Sequence, residues 1–141
     1  MKTSNLTILL VEDDKIDVLT IKRALKELKI LNPIAVCENG LEALNYLNNS
    51  ENALPGIILL DLNMPKMNGI EFLEHRNNNQ TLKLIPTVVL TTSKDEQDKV
   101  ESFNLGVAGY MIKPVDYMQF VEVIKTINLY WTLSELPTNK R

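Results

Sequence analysis

Gly56-Ile57-Ile58-Leu59-Leu60-Asp61-Leu62-Asn63-Met64-Pro65 is the stretch on which the reading of this fold turns. Pro55 precedes it, an unbroken apolar run follows, and the run stops on a carboxylate. A strand with one wet face alternates apolar and polar residues. An unbroken run instead predicts a strand covered on both faces, as in parallel sheets. Outward from this segment the pattern recurs. Leu6 to Val11 runs apolar into Glu12-Asp13-Asp14, and Pro33 to Cys37 reads as a second strand. Pro86 to Leu90 reads as a fourth, stopping at Thr91, and Ala108 to Ile112 as a fifth, stopping at Lys113-Pro114.

Helical patterns fill the intervals. Val18, Ile21, Leu25 and Leu28 recur at three- and four-residue spacing with Lys22, Arg23, Lys26 and Glu27 between them, which predicts an amphipathic helix. Gly40 to Leu47, Ile70 to Arg76 and about Lys94 to Asn104 read as three more, and a last one starts near Asp116, a plausible N-cap. Asp14 is expected to cap the first helix, where its charge suits the dipole. Ser93 is expected to cap the fourth. Five strands, each followed by a helix, imply an α/β fold: a parallel sheet with right-handed crossovers and helices on both faces.

The 141 residues suit one compact domain, and 45% apolar content is ample for a core. We expect one domain over residues 1–131, with residues 132–141 a C-terminal tail. A net charge of −3 gives no basic footprint for nucleic acid. Cys37 is the only cysteine, so no internal disulfide forms and a reducing, cytoplasmic setting is expected. No apolar run approaches the ~20 residues that span a bilayer. His75 stands alone, which excludes a multi-histidine metal site within the chain.

The polar residues carry the functional information. Glu12, Asp13, Asp61, Thr91 and Lys113 all lie at the carboxyl ends of predicted strands, the edge where ligands bind in open parallel sheets. Three gathered carboxylates raise one another's pKa unless a cation joins them. Mg²⁺ suits a few carboxylates completed by waters and phosphate oxygens. With an amine and a hydroxyl at the same edge, the set has the parts of a phosphoryl-transfer site.

Together, Glu12-Asp13, Leu59-Leu60-Asp61-Leu62-Asn63-Met64-Pro65, Thr91 after Pro86-Thr87-Val88-Val89-Leu90, and Tyr110-Met111-Ile112-Lys113-Pro114 resemble the signature of response-regulator receivers. The resemblance spans about Leu6 to Leu129. It implies a flavodoxin-like, doubly wound five-stranded sheet in the order 2-1-3-4-5 with five flanking helices. By the same resemblance, Asp61 accepts a phosphoryl group from a sensor histidine kinase or phosphotransfer protein. Mg²⁺ is held by Asp13, Asp61, the Asn63 carbonyl and Glu12. Lys113 pairs with the phosphate, Thr91 hydrogen-bonds it, and Tyr110 is the switch aromatic. A cis Lys113–Pro114 peptide is also implied. On this reading the chain is a phosphoacceptor switch that catalyses only its own phosphorylation and dephosphorylation. With no output domain seen after residue 131, its signal is expected to leave by protein contact, by passing the phosphate onward, or by removing phosphate as a sink. The segment Phe120 to Lys125, with Tyr130-Trp131, is also similar to single-domain regulators that partner phytochrome-type kinases.

Three rival readings fit the residues less well. A haloacid-dehalogenase-like phosphatase requires a second aspartate where Asn63 stands. A flavin binder conflicts with Glu12-Asp13-Asp14 in its phosphate loop. A degenerate receiver serving only for docking conflicts with a full set of competent residues. Finally, Tyr117 and Val121, with Val100, Phe103 and Tyr110, suggest surplus apolar surface and a symmetric homodimer through the face of the fourth and fifth helices. Tyr130 and Trp131 either add to that surface or pack back on the domain.

Overall fold

The computed structural model describes residues 5–135 and 137. Along the chain come β1 (Ile8–Val11), α1 (Lys15–Glu27), β2 (Ile34–Cys37), α2 (Gly40–Asn48) and β3 (Ile57–Leu60). They are followed by α3 (Gly69–Asn77), a 3₁₀ turn at Leu82–Leu84, β4 (Thr87–Thr91), α4 (Glu96–Asn104), β5 (Gly109–Ile112) and α5 (Tyr117–Leu133). The strands form one parallel sheet in the order β2-β1-β3-β4-β5, the flavodoxin-like arrangement expected. Every residue of β1, β3 and β4 is buried, and the edge strands β2 and β5 are less so. The unbroken apolar runs therefore mark strands with helices on both sides.

Side chains alternate between two cores. On one face Ile8, Leu10, Ile57, Leu59, Val88 and Leu90 meet α1 and α5. On the other Leu9, Val11, Ile58, Leu60 and Val89 meet α2 and α3. By contrast α4 buries only Ser102, so it is the least apolar of the five at its seat. Arg76, fully buried at the end of α3, donates to Lys83 O (3.1 Å), Ile85 O (2.8 Å) and Leu105 O (3.3 Å). It ties the turn before β4 to the residue that ends α4.

Asp14 is the N-cap of α1, its side chain accepting from the Ile16 and Asp17 backbone N–H groups, and Asp116 caps α5 as expected. Ser93 does not cap α4. Asp95 does, accepting from Gln97 and Asp98 N–H, and the helix starts at Glu96. Ser93 instead donates to Asp98 Oδ2 at 2.6 Å. Both oxygens are competent caps, and the loop path brings Asp95 rather than Ser93 to the first-turn N–H groups. The Lys113–Pro114 bond is trans, where the resemblance implied cis. Trans is the isomer X–Pro bonds favour by about 0.5–1 kcal/mol.

Val121 is buried and Tyr117 half-buried, with Arg23 of α1 lying 4.0 Å over the Tyr117 ring. Both residues were expected on the surface. A single core-facing stripe underestimates α5, which packs on α1 as well as on the sheet. Trp131 is buried too, whereas Tyr130 is exposed. α5 runs to Leu133, two residues past the expected end of the domain at residue 131. Residues 136 and 138–141 of the expected tail, and 1–4 of the expected domain, lie outside the described residues. Among the described residues no helix is long and apolar enough to cross a membrane.

The loop after β3 closes tightly, with Gly69 N–H donating to Leu62 O at 3.0 Å. A Cβ on Gly69 would lie 2.6 Å from the Asp61 carbonyl oxygen, a backbone atom with no freedom to yield. Gly69→Ala is expected to cost about 1–3 kcal/mol of stability, the usual penalty of overpacking, measured by urea unfolding.

Candidate functional site

Strand register assembles the site. Val11 pairs with Leu60, and Asp61 N–H donates to Val11 O at 3.0 Å, so Glu12 and Asp61 emerge side by side. Thr91 pairs with Ile112, and Lys113 N–H donates to Thr91 O at 2.8 Å. Alternation continues past the strand ends. Glu12, Asp61 and Lys113 share parity with Leu10, Leu59 and Met111, the residues facing α1 and α5. Thr91 and Tyr110 share parity with Val89, on the opposite face.

Carboxylate oxygens of Glu12, Asp13 and Asp61 lie within 4.8 Å of one another. Glu12 and Asp61 are buried and Asp13 is exposed, so the cluster opens to solvent on one side. Three hard oxygen donors with one wet side fit an octahedral divalent cation that keeps some of its waters. Asp61 Oδ1 accepts from Leu62 N–H at 2.9 Å, which fixes the carboxylate plane. Asn63 lies exposed two residues beyond.

Lys113 Nζ donates to Glu12 Oε1 at 2.5 Å and to Asp17 Oδ2 at 2.8 Å, and stands 3.8 Å from Asp61 Oδ2. Burial alone would lower the lysine's pKa. The hydrogen bonds to Asp17 and Glu12 outweigh it and hold the ammonium above its ordinary value. Burial pushes Glu12 up to about 7, helped by the Asp61 charge and opposed by the Lys113 hydrogen bond. Sequence reasoning missed Asp17. Its available signal was position, one helical turn after Asp13 on the helix that follows β1.

Thr91 is fully buried, and its Oγ1 accepts from Ser93 N–H at 3.3 Å. Tyr110 is half-buried and its hydroxyl donates to Ser93 O at 2.9 Å. Both therefore meet the β4–α4 loop through Ser93. His75 is exposed, away from this set. Buried Cys37, with its thiol pushed up to about 11 chiefly by burial, is a core residue rather than a nucleophile.

With this geometry in place, comparison with known proteins gives a consistent result. The profile of the response regulator receiver domain matches residues 8–125. Response regulator Rcp1 of Synechocystis sp. is 38% identical over 128 residues, covering 88% of this chain and 87% of that protein. The crystal structure of the phosphorylated cyanobacterial phytochrome response regulator RcpA superposes with a TM-score of 0.89 at 36% identity, over 95% of this chain and 99% of that one. The Mn²⁺-bound form of Rcp1 superposes with a TM-score of 0.86 at 36% identity, over 94% of this chain and 99% of that one.

The raised Glu12 pKa sets a sign for stability. Its carboxyl titrates at 4.5 ordinarily and near 7 in the fold, so the folded state binds the proton more tightly. Its stabilising contribution is full below the unfolded value and is lost as pH rises through the folded one. Metal-free wild type should therefore lose stability relative to Glu12→Gln between about pH 4.5 and 7. Urea midpoints of both proteins at either end of that window, in chelator, check this; equal slopes would contradict it.

Proposed function

The chain belongs to the response regulator receiver domain family, and on that premise we propose that Asp61 accepts a phosphoryl group from a phosphohistidine of a sensor kinase or phosphotransfer protein. Receiver domains are phosphoacceptor switches of two-component systems. The observation that carries the assignment to Asp61 is its place: a buried carboxylate at the carboxyl end of the central strand, with Lys113, Glu12 and Asp13 around it. The receiver unit is taken as residues 1–131.

In this reading an Asp61 oxygen attacks phosphorus, the phosphorus–nitrogen bond breaks, and the donor imidazole leaves. Asp13 and Asp61, with the Asn63 carbonyl and with Glu12 through water, would hold Mg²⁺, which supplies positive charge to the phosphoryl oxygens. The Mn²⁺ of the Rcp1 structure and the acidic cluster here support a divalent cation at this point. Lys113 moves from its carboxylates to a phosphoryl oxygen, and Thr91 donates its hydroxyl to another. Tyr110, hydrogen-bonded beside Ser93, transmits the change in the β4–α4 loop. Water attack on phosphorus breaks its bond to the Asp61 oxygen, releases inorganic phosphate and returns the Asp61 carboxylate.

Docking of the donor fits the rim of the site. Ile16 and Leu19 on α1, with Val115 and Met118 where β5 passes into α5, are exposed apolar residues bordering the acidic edge. Likeness to phytochrome response regulators supports a phytochrome-type kinase as donor. A homodimer through α4 and α5 stays within the proposal on a revised surface. Val100, Phe103, Leu129 and Tyr130 are exposed, whereas Val121 is not.

Asp61→Asn is expected to abolish Mg²⁺-dependent phosphorylation by acetyl phosphate, since an amide is a far poorer nucleophile. Stoichiometric phosphate on that variant would refute the assignment, and no phosphate on wild type would favour a docking module. For the dimer, sedimentation with and without beryllofluoride should show tighter association when the phosphoryl mimic is bound. A monomer in both states at high micromolar concentration would refute it.

A further inference from the structure

Lys113 carries three N–H donors, and two of them are committed before any phosphoryl group arrives. One goes to Glu12 and the other to Asp17, at 2.5 and 2.8 Å. Asp61, the residue the ammonium is meant to serve, lies at 3.8 Å, beyond hydrogen-bonding distance. The Lys113 side chain is only 6% exposed, so it does not wander into solvent. Its position is a choice among carboxylates.

We propose that Asp17 is a positioning residue that parks Lys113 in the resting protein and competes with the phosphoryl group on Asp61 for it. Asp17 sits in the first turn of α1, and α1 packs on the sheet face to which Glu12, Asp61 and Lys113 belong. Its backbone N–H is held by the Asp14 cap, which fixes where its side chain starts. Glu12 is buried beside Asp61, whereas Asp17 approaches from a separate element with its side chain 28% exposed. Asp17 is thus the partner that Lys113 gives up at least cost, because water replaces the lost hydrogen bond.

An interaction made only in the resting state biases the equilibrium against the phosphorylated one. Removing the Asp17 charge therefore makes Lys113 more available to a phosphoryl group.

This inference rests on Asp61 being the phosphoacceptor, and its test separates the two. Wild type, Asp17→Asn and Asp17→Glu are titrated with beryllofluoride in the presence of Mg²⁺, following amide resonances of Thr91 and Tyr110. The half-saturating concentration should fall about three- to tenfold in Asp17→Asn, the span expected of a partly solvated ion pair. Asp17→Glu, which restores the charge, should return it to within about twofold of wild type. In metal-free protein the Lys113 ammonium protons should exchange faster in Asp17→Asn than in wild type. An unchanged or weaker affinity in Asp17→Asn would overturn the competition. Unchanged ammonium exchange would overturn the parking itself. If wild type binds no beryllofluoride, the phosphoacceptor reading fails, and ammonium exchange still decides whether Asp17 holds Lys113.

Discussion

One ammonium among four carboxylates governs this molecule. Lys113 stands within 4 Å of oxygens from Glu12, Asp17 and Asp61, and Asp13 closes the same acidic cluster. Such a gathering of negative charge is costly unless each charge is offset. A single buried cation offsets only part of it. Burial, with the Asp61 charge beside it, raises the pKa of Glu12, and the surplus of carboxylates over cations suits the edge to further positive charge. Strand register serves this constraint, because a slip of one residue in β3 or β5 would turn Asp61 or Lys113 to the opposite face.

The sheet divides the polar residues of this edge between its two faces. Glu12, Asp61 and Lys113 belong by alternation to the face covered by α1 and α5, which the core anchors with Ile21, Leu25, Phe120 and Ile124. Thr91 and Tyr110 belong to the other face, toward the β4–α4 loop. There α4 is seated through Ser102 and held past its last turn by the Arg76 bond to Leu105 O. The face packed by two helices thus carries Glu12, Asp61 and Lys113, and the lightly seated helix borders Thr91 and Tyr110.

Much of this was legible in the sequence, because the apolar runs and the polar residues ending them share one cause. A doubly covered strand must be apolar until it emerges, so Asp61 and Lys113 announce themselves by where the runs stop. Asp14 and Asp116 were readable as caps for a similarly local reason. Asp95 was harder, because Ser93 two residues earlier offers an equally plausible oxygen and only the loop path decides between them. Tyr117 and Val121 were misplaced because helix periodicity describes one neighbour at a time, and α5 has two. Asp17 offered only its position after Asp13, and Arg76 offered nothing, because an ion pair spanning 96 residues, or a guanidinium feeding carbonyls from two loops, is not encoded in any local pattern.

The single tryptophan carries a practical corollary. Trp131 packs against Leu6 and Gly56, at the amino end of β3, while Asp61 leaves the carboxyl end of the same strand. The indole is therefore separated from the acidic edge by the length of the sheet. Its emission is expected to follow the integrity of the α5 seam and to stay unchanged when a cation or phosphoryl mimic arrives at the far edge. Fluorescence thus follows melting rather than events at the acidic edge. A ligand titration that leaves tryptophan emission flat is the natural behaviour of this architecture, and not a failure to bind.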